Sequence, residues 1–240
     1  MKKWQTKNGI RIYQVLNGRS NSYLISNEKG NILVDNGKAS AYKSLRQNVD
    51  SINSKPLKID LIILTHTHYD HCQNTFKISK QDHCKIAMSW KEALFARQGF
   101  STLPKGTFRI AKIFSNLGNL IGKRRFGFRP FTPGILIVKD TDLIEYGISV
   151  IQTKGHSKGS ISVIIDNEIA LVGDAMIGTF KNSVFPPFAD DLKELIKSWG
   201  RLLETDCVTF LPGHGKEIKR ELLQQEYTKY SRKCYQNHNN

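Results

Sequence analysis

Five of the seven histidines lie in short segments at the ends of apolar runs, beginning with Thr65-His66-Thr67-His68-Tyr69-Asp70-His71. Imidazoles and carboxylates are the donors that borderline divalent ions take, and a catalytic ion must also keep one position open for water. Three later segments continue the theme: Gly155-His156-Ser157, Gly173-Asp174-Ala175 and Leu211-Pro212-Gly213-His214-Gly215. Donors carried at separate strand ends imply one rim where they converge, because scattered surface histidines have no reason to keep following apolar runs. His83 and His238 fit no such segment and read as surface residues.

The rim needs rigid elements behind it. Ile59-Asp60-Leu61-Ile62-Ile63-Leu64 is β-branched and apolar enough for a buried strand leading into the first histidines. Strands are expected over 10–15, 22–26 and 31–35, then a helix over 39–52. The second half repeats this grammar, with strands over 148–153, 161–166 and 169–172, a turn at Asp166-Asn167, a capped helix over 190–204 and a last strand over 207–211. A chain of 240 residues buries a sizeable core, and the even spread of strand-like segments predicts one domain over 1–240. The polar tail 231–240 is expected to fray.

Lysine and arginine number 36 against 21 aspartates and glutamates, a formal net charge of +15. Met1-Lys2-Lys3-Trp4-Gln5-Thr6 leads into polar sequence rather than a leader pattern, and no apolar run is long enough to span a bilayer. A cytoplasmic location is the expectation. Cys72, Cys84, Cys207 and Cys234 show neither zinc-finger nor redox spacing, and an intracellular chain would keep them reduced.

The block His66-Thr67-His68-Tyr69-Asp70-His71, followed in order by His156, Asp174 and His214, resembles the metallo-β-lactamase-fold superfamily over roughly residues 10 to 220. The resemblance implies an α/β (α+β) fold, a four-layer αβ/βα sandwich with metals at one edge between the sheets and a helical insert. It further implies that His66, His68 and His156 hold one ion, that Asp70, His71 and His214 hold a second, and that Asp174 bridges them. Seven candidate ligands exceed one tetrahedral site, so two divalent ions are expected as cofactors, zinc foremost, with iron and manganese suited to the same donors. Asp70 would also orient the bridging hydroxide, which makes it the candidate catalytic residue. Asp35, in Leu33-Val34-Asp35-Asn36-Gly37, matches a family position that supports a ligand histidine; it reads equally as a turn aspartate before glycine.

Among such families, β-lactamases are more often exported and usually lack the bridging aspartate. Glyoxalase II-like thioesterases share all four motifs but add a helical C-terminal domain, and little chain follows His214. Flavodiiron proteins replace the second histidine with glutamate, and the β-CASP nucleases carry a long insert. Lactonase-like and small esterase or thioesterase members remain, so the resemblance implies hydrolysis of a lactone, ester or thioester in a small-molecule substrate. The alternatives are a phosphodiesterase or ribonuclease of the same fold, favoured by the charge, a mononuclear iron persulfide dioxygenase with the same ligands, and a basic binding module on a retired scaffold, which seven intact ligands disfavour. Lys154 and Lys158 stand on either side of His156 where the family often has prolines, which favours anionic substrates, and Cys72-Gln73-Asn74 in place of glycines predicts a crowded approach.

The insert 91–139 carries Lys91, Arg97, Lys105, Arg109, Lys112, Lys123, Arg124, Arg125, Arg129 and Lys139 against the single acid Glu92. Within it Ile110, Ile113, Phe114, Leu117, Leu120 and Ile121 share one helical face, with Arg109, Lys112, Asn116, Asn119 and Lys123 opposite and Gly118 and Gly122 weakening the helix. It reads as a helix packed on the domain with its lysines in water, as a lid whose apolar face lines the substrate pocket, or as a surface for nucleic acid or anionic membrane. Phe126, Phe128 and Phe131 beside Arg124, Arg125 and Arg129 suit base stacking or a pocket wall. The regular apolar face against diffuse charge favours the lid over nucleic acid.

Overall fold

The computed structural model describes residues 1–53 and 56–236. A seven-stranded sheet runs β1 (Lys3–Gln5), β2 (Arg11–Leu16), β3 (Ser22–Asn27), β4 (Gly30–Val34), β5 (Leu61–Leu64), β6 (Lys85–Ser89) and β7 (Ile135–Ile137) in spatial order. It is antiparallel from β1 to β4 and parallel from β4 to β7. The second sheet contains β8 (Thr141–Leu143), β9 (Ile148–Gln152), β10 (Ile161–Ile165), β11 (Ile169–Gly173), β12 (Thr209–Pro212) and β13 (Ile218–Lys219), ordered from β13 to β8, with β11 and β12 parallel and the other pairs antiparallel.

The helices are α1 (Tyr42–Asp50), α2 (Tyr69–Cys72), α3 (Thr75–Asp82), α4 (Ala93–Gln98), α5 (Arg109–Ile121), α6 (Lys123–Phe126), α7 (Leu192–Glu204) and α8 (Arg220–Gln236). Apolar alternation assigns them to layers. In β5, Leu61 and Ile63 enter a core shared with Val163, Leu171 and Leu211 of the second sheet, while Ile62 and Leu64 pack outward with Leu45 and Val49 of α1 and Ile78 of α3. Full burial of each such side chain is worth about 1.5–3 kcal/mol, which is why a strand covered on both faces is apolar throughout. On the far side, Ala170, Val172 and Phe210 pack against Leu195, Trp199 and Leu202 of α7 and Leu223 of α8. The result is the helix–sheet–sheet–helix sandwich that the resemblance implied.

Local chemistry sets the joints. Asp166 and Asn167 both take positive φ (50° and 55°) in the tight turn between β10 and β11, a conformation these short polar residues tolerate. Asp191 caps α7, its Oδ1 accepting from the amides of Lys193 (2.9 Å) and Glu194 (3.1 Å). Helix α8 runs through Gln236, and Tyr230 stacks on Phe185 at 4.5 Å between centroids. Residues 237–240, including His238, lie outside the described residues. His83 is exposed and closes α3 with a left-handed φ of 53°. No described helix is long and apolar enough to cross a membrane.

Candidate metal centre

The donors collect at the carboxyl ends of β4, β5, β9, β11 and β12, where parallel neighbours deliver their loops to one edge. His66 and His68 lie in the loop after β5, Asp70 and His71 on α2, His156 after β9, Asp174 directly after β11 and His214 after β12. Their ligand atoms fall into three groups, each within 4.8 Å: His66, His68 and His156; His66, His71 and Asp174; Asp70, His71 and His214. Across these groups Asp174 Oδ2 lies 3.2 Å from His214 Nε2 and 3.5 Å from His156 Nε2, while its Oδ1 lies 3.5 Å from His71 Nε2.

Hydrogen bonds behind the rings decide which nitrogens point inward. Thr65 Oγ1 donates to Asp35 Oδ2 (2.7 Å) and so accepts from His66 Nδ1 (3.0 Å). His71 Nδ1 donates to the same Asp35 oxygen (2.8 Å), and His156 Nδ1 donates to the carbonyl of Phe188 (2.9 Å). Each bond occupies Nδ1 and turns Nε2 toward the centre. Ring nitrogens then crowd together: His156 Nε2 is 2.9 Å from His68 Nδ1, and His71 Nε2 is 3.3 Å from His214 Nε2. His66 Nε2 and Asp174 Oδ1 are buried without a hydrogen-bond partner. Orphaned, inward-aimed lone pairs of nitrogen and carboxylate oxygen form a donor set that fits divalent cations.

Electrostatics carry the same signature. Burial, with neighbouring imidazoles, holds His66 and His68 well below the ordinary histidine range, and burial lowers His156 as well. For His71 burial works in the same direction, but Asp174 and Asp35 overcome it and raise the ring well above its usual value. His214 is likewise raised by Asp174 against burial. Asp174, despite burial, is held well below the carboxylate range by His214, His71 and His156. Strongly displaced groups packed this closely mark a functional site.

Asp35 joins two roles. It adopts a left-handed φ of 55° at the end of β4, and its carboxylate accepts from Thr65 and His71. Gly213 is required by close approach, since a Cβ there would lie 2.3 Å from Asp174 Oδ1 and 2.6 Å from His71. The strand end before His214 is pinned by Asn21 Nδ2 and the Tyr23 hydroxyl, both donating to the Pro212 carbonyl at 2.9 Å.

Sequence reasoning missed Glu92 as a site residue. Its buried carboxylate accepts from the Thr67 amide (3.1 Å) and hydroxyl on one oxygen, and from the Ser157 hydroxyl (2.8 Å) and Gly159 amide (3.2 Å) on the other. It thereby ties the loop of His66 and His68 to the loop of His156. The available signal was a lone acid in a strongly basic segment.

Above the donors opens a cavity of about 600 Å³. His68, Asp70, His156, Asp174 and His214 form its floor, and Leu103, Phe114, Leu117, Phe126, Ile177 and Phe188 contribute to its walls. Arg19 is the one lysine or arginine lining it among the described residues, 4.0 Å from Asp70 and donating to the Tyr69 hydroxyl (2.7 Å). Lys154 and Lys158, on either side of His156, are not among the residues lining the cavity. Cys72 and Asn74 are buried and Gln73 bonds the Ala39 amide and the Gly127 carbonyl, so the expected crowding of the approach does not arise either.

Helix α5 borders the cavity through Phe114 and Leu117, but its apolar face is not packed down. Ala111 and Ser115 are the buried positions, and a Cβ on Gly118 would meet Leu103 at 2.3 Å. The small residues let the helix approach closely, and the large apolar ones are left outside.

Comparison with known proteins gives a consistent picture. The family profile described as "Metallo-beta-lactamase superfamily" matches residues 16–214. A probable metallo-hydrolase of Methanocaldococcus jannaschii is 30% identical over 200 residues, covering 82% of this chain and 88% of the relative. An archaeal metallo-beta-lactamase superfamily protein from Sulfolobus tokodaii aligns with a TM-score of 0.63 at 20% identity, covering 91% of this chain and 85% of that one. A further protein, solved in a di-iron-bound form, aligns with a TM-score of 0.64 at 21% identity, covering 89% and 98%.

Proposed function

The chain belongs to the metallo-beta-lactamase superfamily, and on that premise we propose that it is a metal-dependent hydrolase that opens a lactone, ester or thioester with the help of two divalent ions. His66, His68 and His156 would hold one ion, Asp70, His71 and His214 the other, with Asp174 shared between them. When bound, such ions supply a hydroxide nucleophile near neutral pH and Lewis acidity toward the carbonyl oxygen.

The protein's own residues supply the rest. Asp35, Thr65 and the Phe188 carbonyl hold His71, His66 and His156 in the tautomers that direct Nε2 inward. Asp70 lines the cavity floor with Oδ2 3.7 Å from His214 Nε2, where it can orient a water by accepting its proton. The apolar walls exclude water and hold the acyl portion of a substrate above that carboxylate.

The observation that carries the acyl reading is the contrast between floor and walls: a polar donor cluster beneath an apolar cavity with Arg19 as the one lysine or arginine among its described lining residues. A phosphodiester polymer would need several cations along its path. The donor set suits zinc first, and the di-iron-bound form of a neighbour makes iron the second candidate. Elemental analysis of protein purified without added metal, run with a panel of lactones, esters, thioesters and phosphodiesters, tests the reading. Turnover of an acyl substrate with two ions per chain is the expected result, and cleavage confined to phosphodiesters would overturn it.

A further inference from the structure

The outer face of α5 has the chemistry of a surface that is covered in use. Ile110, Ile113, Phe114, Leu117 and Leu120 share it and are between 56% (Leu117) and 85% (Leu120) exposed, and Phe108, at the N-cap, is 50% exposed. A contiguous exposed cluster of large apolar side chains is uncommon on a protein that meets only water. Its surroundings are basic. Arg109 and Lys112 project from the same helix and Arg124 from α6, all exposed and none in an ion pair among the described residues. From residue 93 to residue 139 the chain contains no acid at all.

We propose that this face of α5, with its flanking cations, seats the protein on an anionic lipid bilayer. An amphipathic helix with aromatic and aliphatic residues on one side and arginine and lysine beside them buries its apolar side at the headgroup boundary while the cations meet lipid phosphates. A second copy of the chain fits less well, because apposing two such faces would bring their cations together with no acid to offset them. Nucleic acid would neutralise the cations but leave isoleucine and leucine, which offer no stacking surface, in water. The inward side of the helix, built from Ala111, Ser115 and Gly118, already fixes α5 to the body, so docking needs no rearrangement. Phe114 and Leu117 belong both to this face and to the cavity wall, which places the mouth of the cavity at the lipid boundary. The docking stands whether or not the hydrolase reading holds.

The test is co-sedimentation of the full chain with vesicles of phosphatidylcholine alone and of phosphatidylcholine mixed equally with phosphatidylglycerol, at low and high salt. Binding should rise by about tenfold or more with the anionic lipid and weaken with salt. The variant Ile110→Ser/Ile113→Ser/Leu120→Ser, altered at exposed positions that do not line the cavity, should lose about tenfold in vesicle binding with an unchanged circular dichroism spectrum. Arg109→Ala/Lys112→Ala/Arg124→Ala should remove the preference for anionic lipid. Equal and negligible binding to both vesicles would sink the proposal, as would a serine variant that binds like the wild type. A protein that ignores vesicles but forms a dimer dissolved by the serine variant, or that binds RNA in a salt-dependent way, would assign the face to those occupants instead.

Discussion

The segment after β5, from Thr65 to His71, and helix α5 are held in opposite ways. In the first, polar side chains turn inward and are buried, three of them secured by a second partner: His66 through Thr65, His71 through Asp35, Thr67 through Glu92. In the second, the large apolar side chains face outward, and small residues make the contact with the body. A buried polar group demands a hydrogen bond of defined direction, so a constellation of them specifies its own geometry. An apolar face specifies only that something should cover it.

If this contrast is right, disturbing the rim should cost chemistry and disturbing the helix should cost affinity. The largest effect should come from metal removal: dialysis against a chelator should abolish turnover, and titration of metal back should restore it with two equivalents per chain. Full recovery at one equivalent, with Asp70 and His214 dispensable, breaks the two-ion reading. Asp70→Asn should lower kcat by roughly 10²–10⁴-fold, the range of a positioned acid–base group, while shifting Tm little because the core lies in the sheets. Near-normal turnover in that variant would remove Asp70 from the mechanism.

Glu92→Ala tests the positioning network rather than the chemistry. Loss of its carboxylate leaves the donors of Thr67, Ser157 and Gly159 without their partner, and metal affinity should fall by about 10–100-fold, as for other residues that orient ligands. Glu92→Gln retains an acceptor and should recover part of that loss in a chelator-competition assay. Identical metal affinity in all three proteins would reduce Glu92 to a stability role. The smallest effect belongs to the cavity wall: Phe114→Ala or Leu117→Ala should raise KM several-fold with kcat nearly constant, in line with about 1 kcal/mol for partly buried apolar area. A change confined to kcat would place α5 in the chemical step instead.

Strands and donors were legible for one physical reason, that a strand covered on both faces must be apolar throughout and its end is where polar function begins. The runs ending at Leu64, Val172 and Leu211 therefore announced His66, Asp174 and His214. Glu92 was not legible because its partners, Thr67, Ser157 and Gly159, are remote in sequence and have ordinary side chains. The spacing of α5 was legible, but not which side would turn inward. Hydropathy points to the isoleucines and leucines, whereas close packing against Leu103 favoured Gly118 and its small neighbours. The packing of Tyr230 on Phe185 and Trp199 was hidden for a related reason, since these partners meet only in the tertiary fold.

The division of donors between the two sheets bears on how the protein comes into being. Four of them arrive early, on β5 and α2; His156 and Asp174 come from β9 and β11; His214 follows β12, almost the last strand to be made. During synthesis the segment through α2 therefore emerges holding only part of the cage, which closes only once β12 and the loop after it have been made. An ion held across these donors would stitch together two halves that were made at different times.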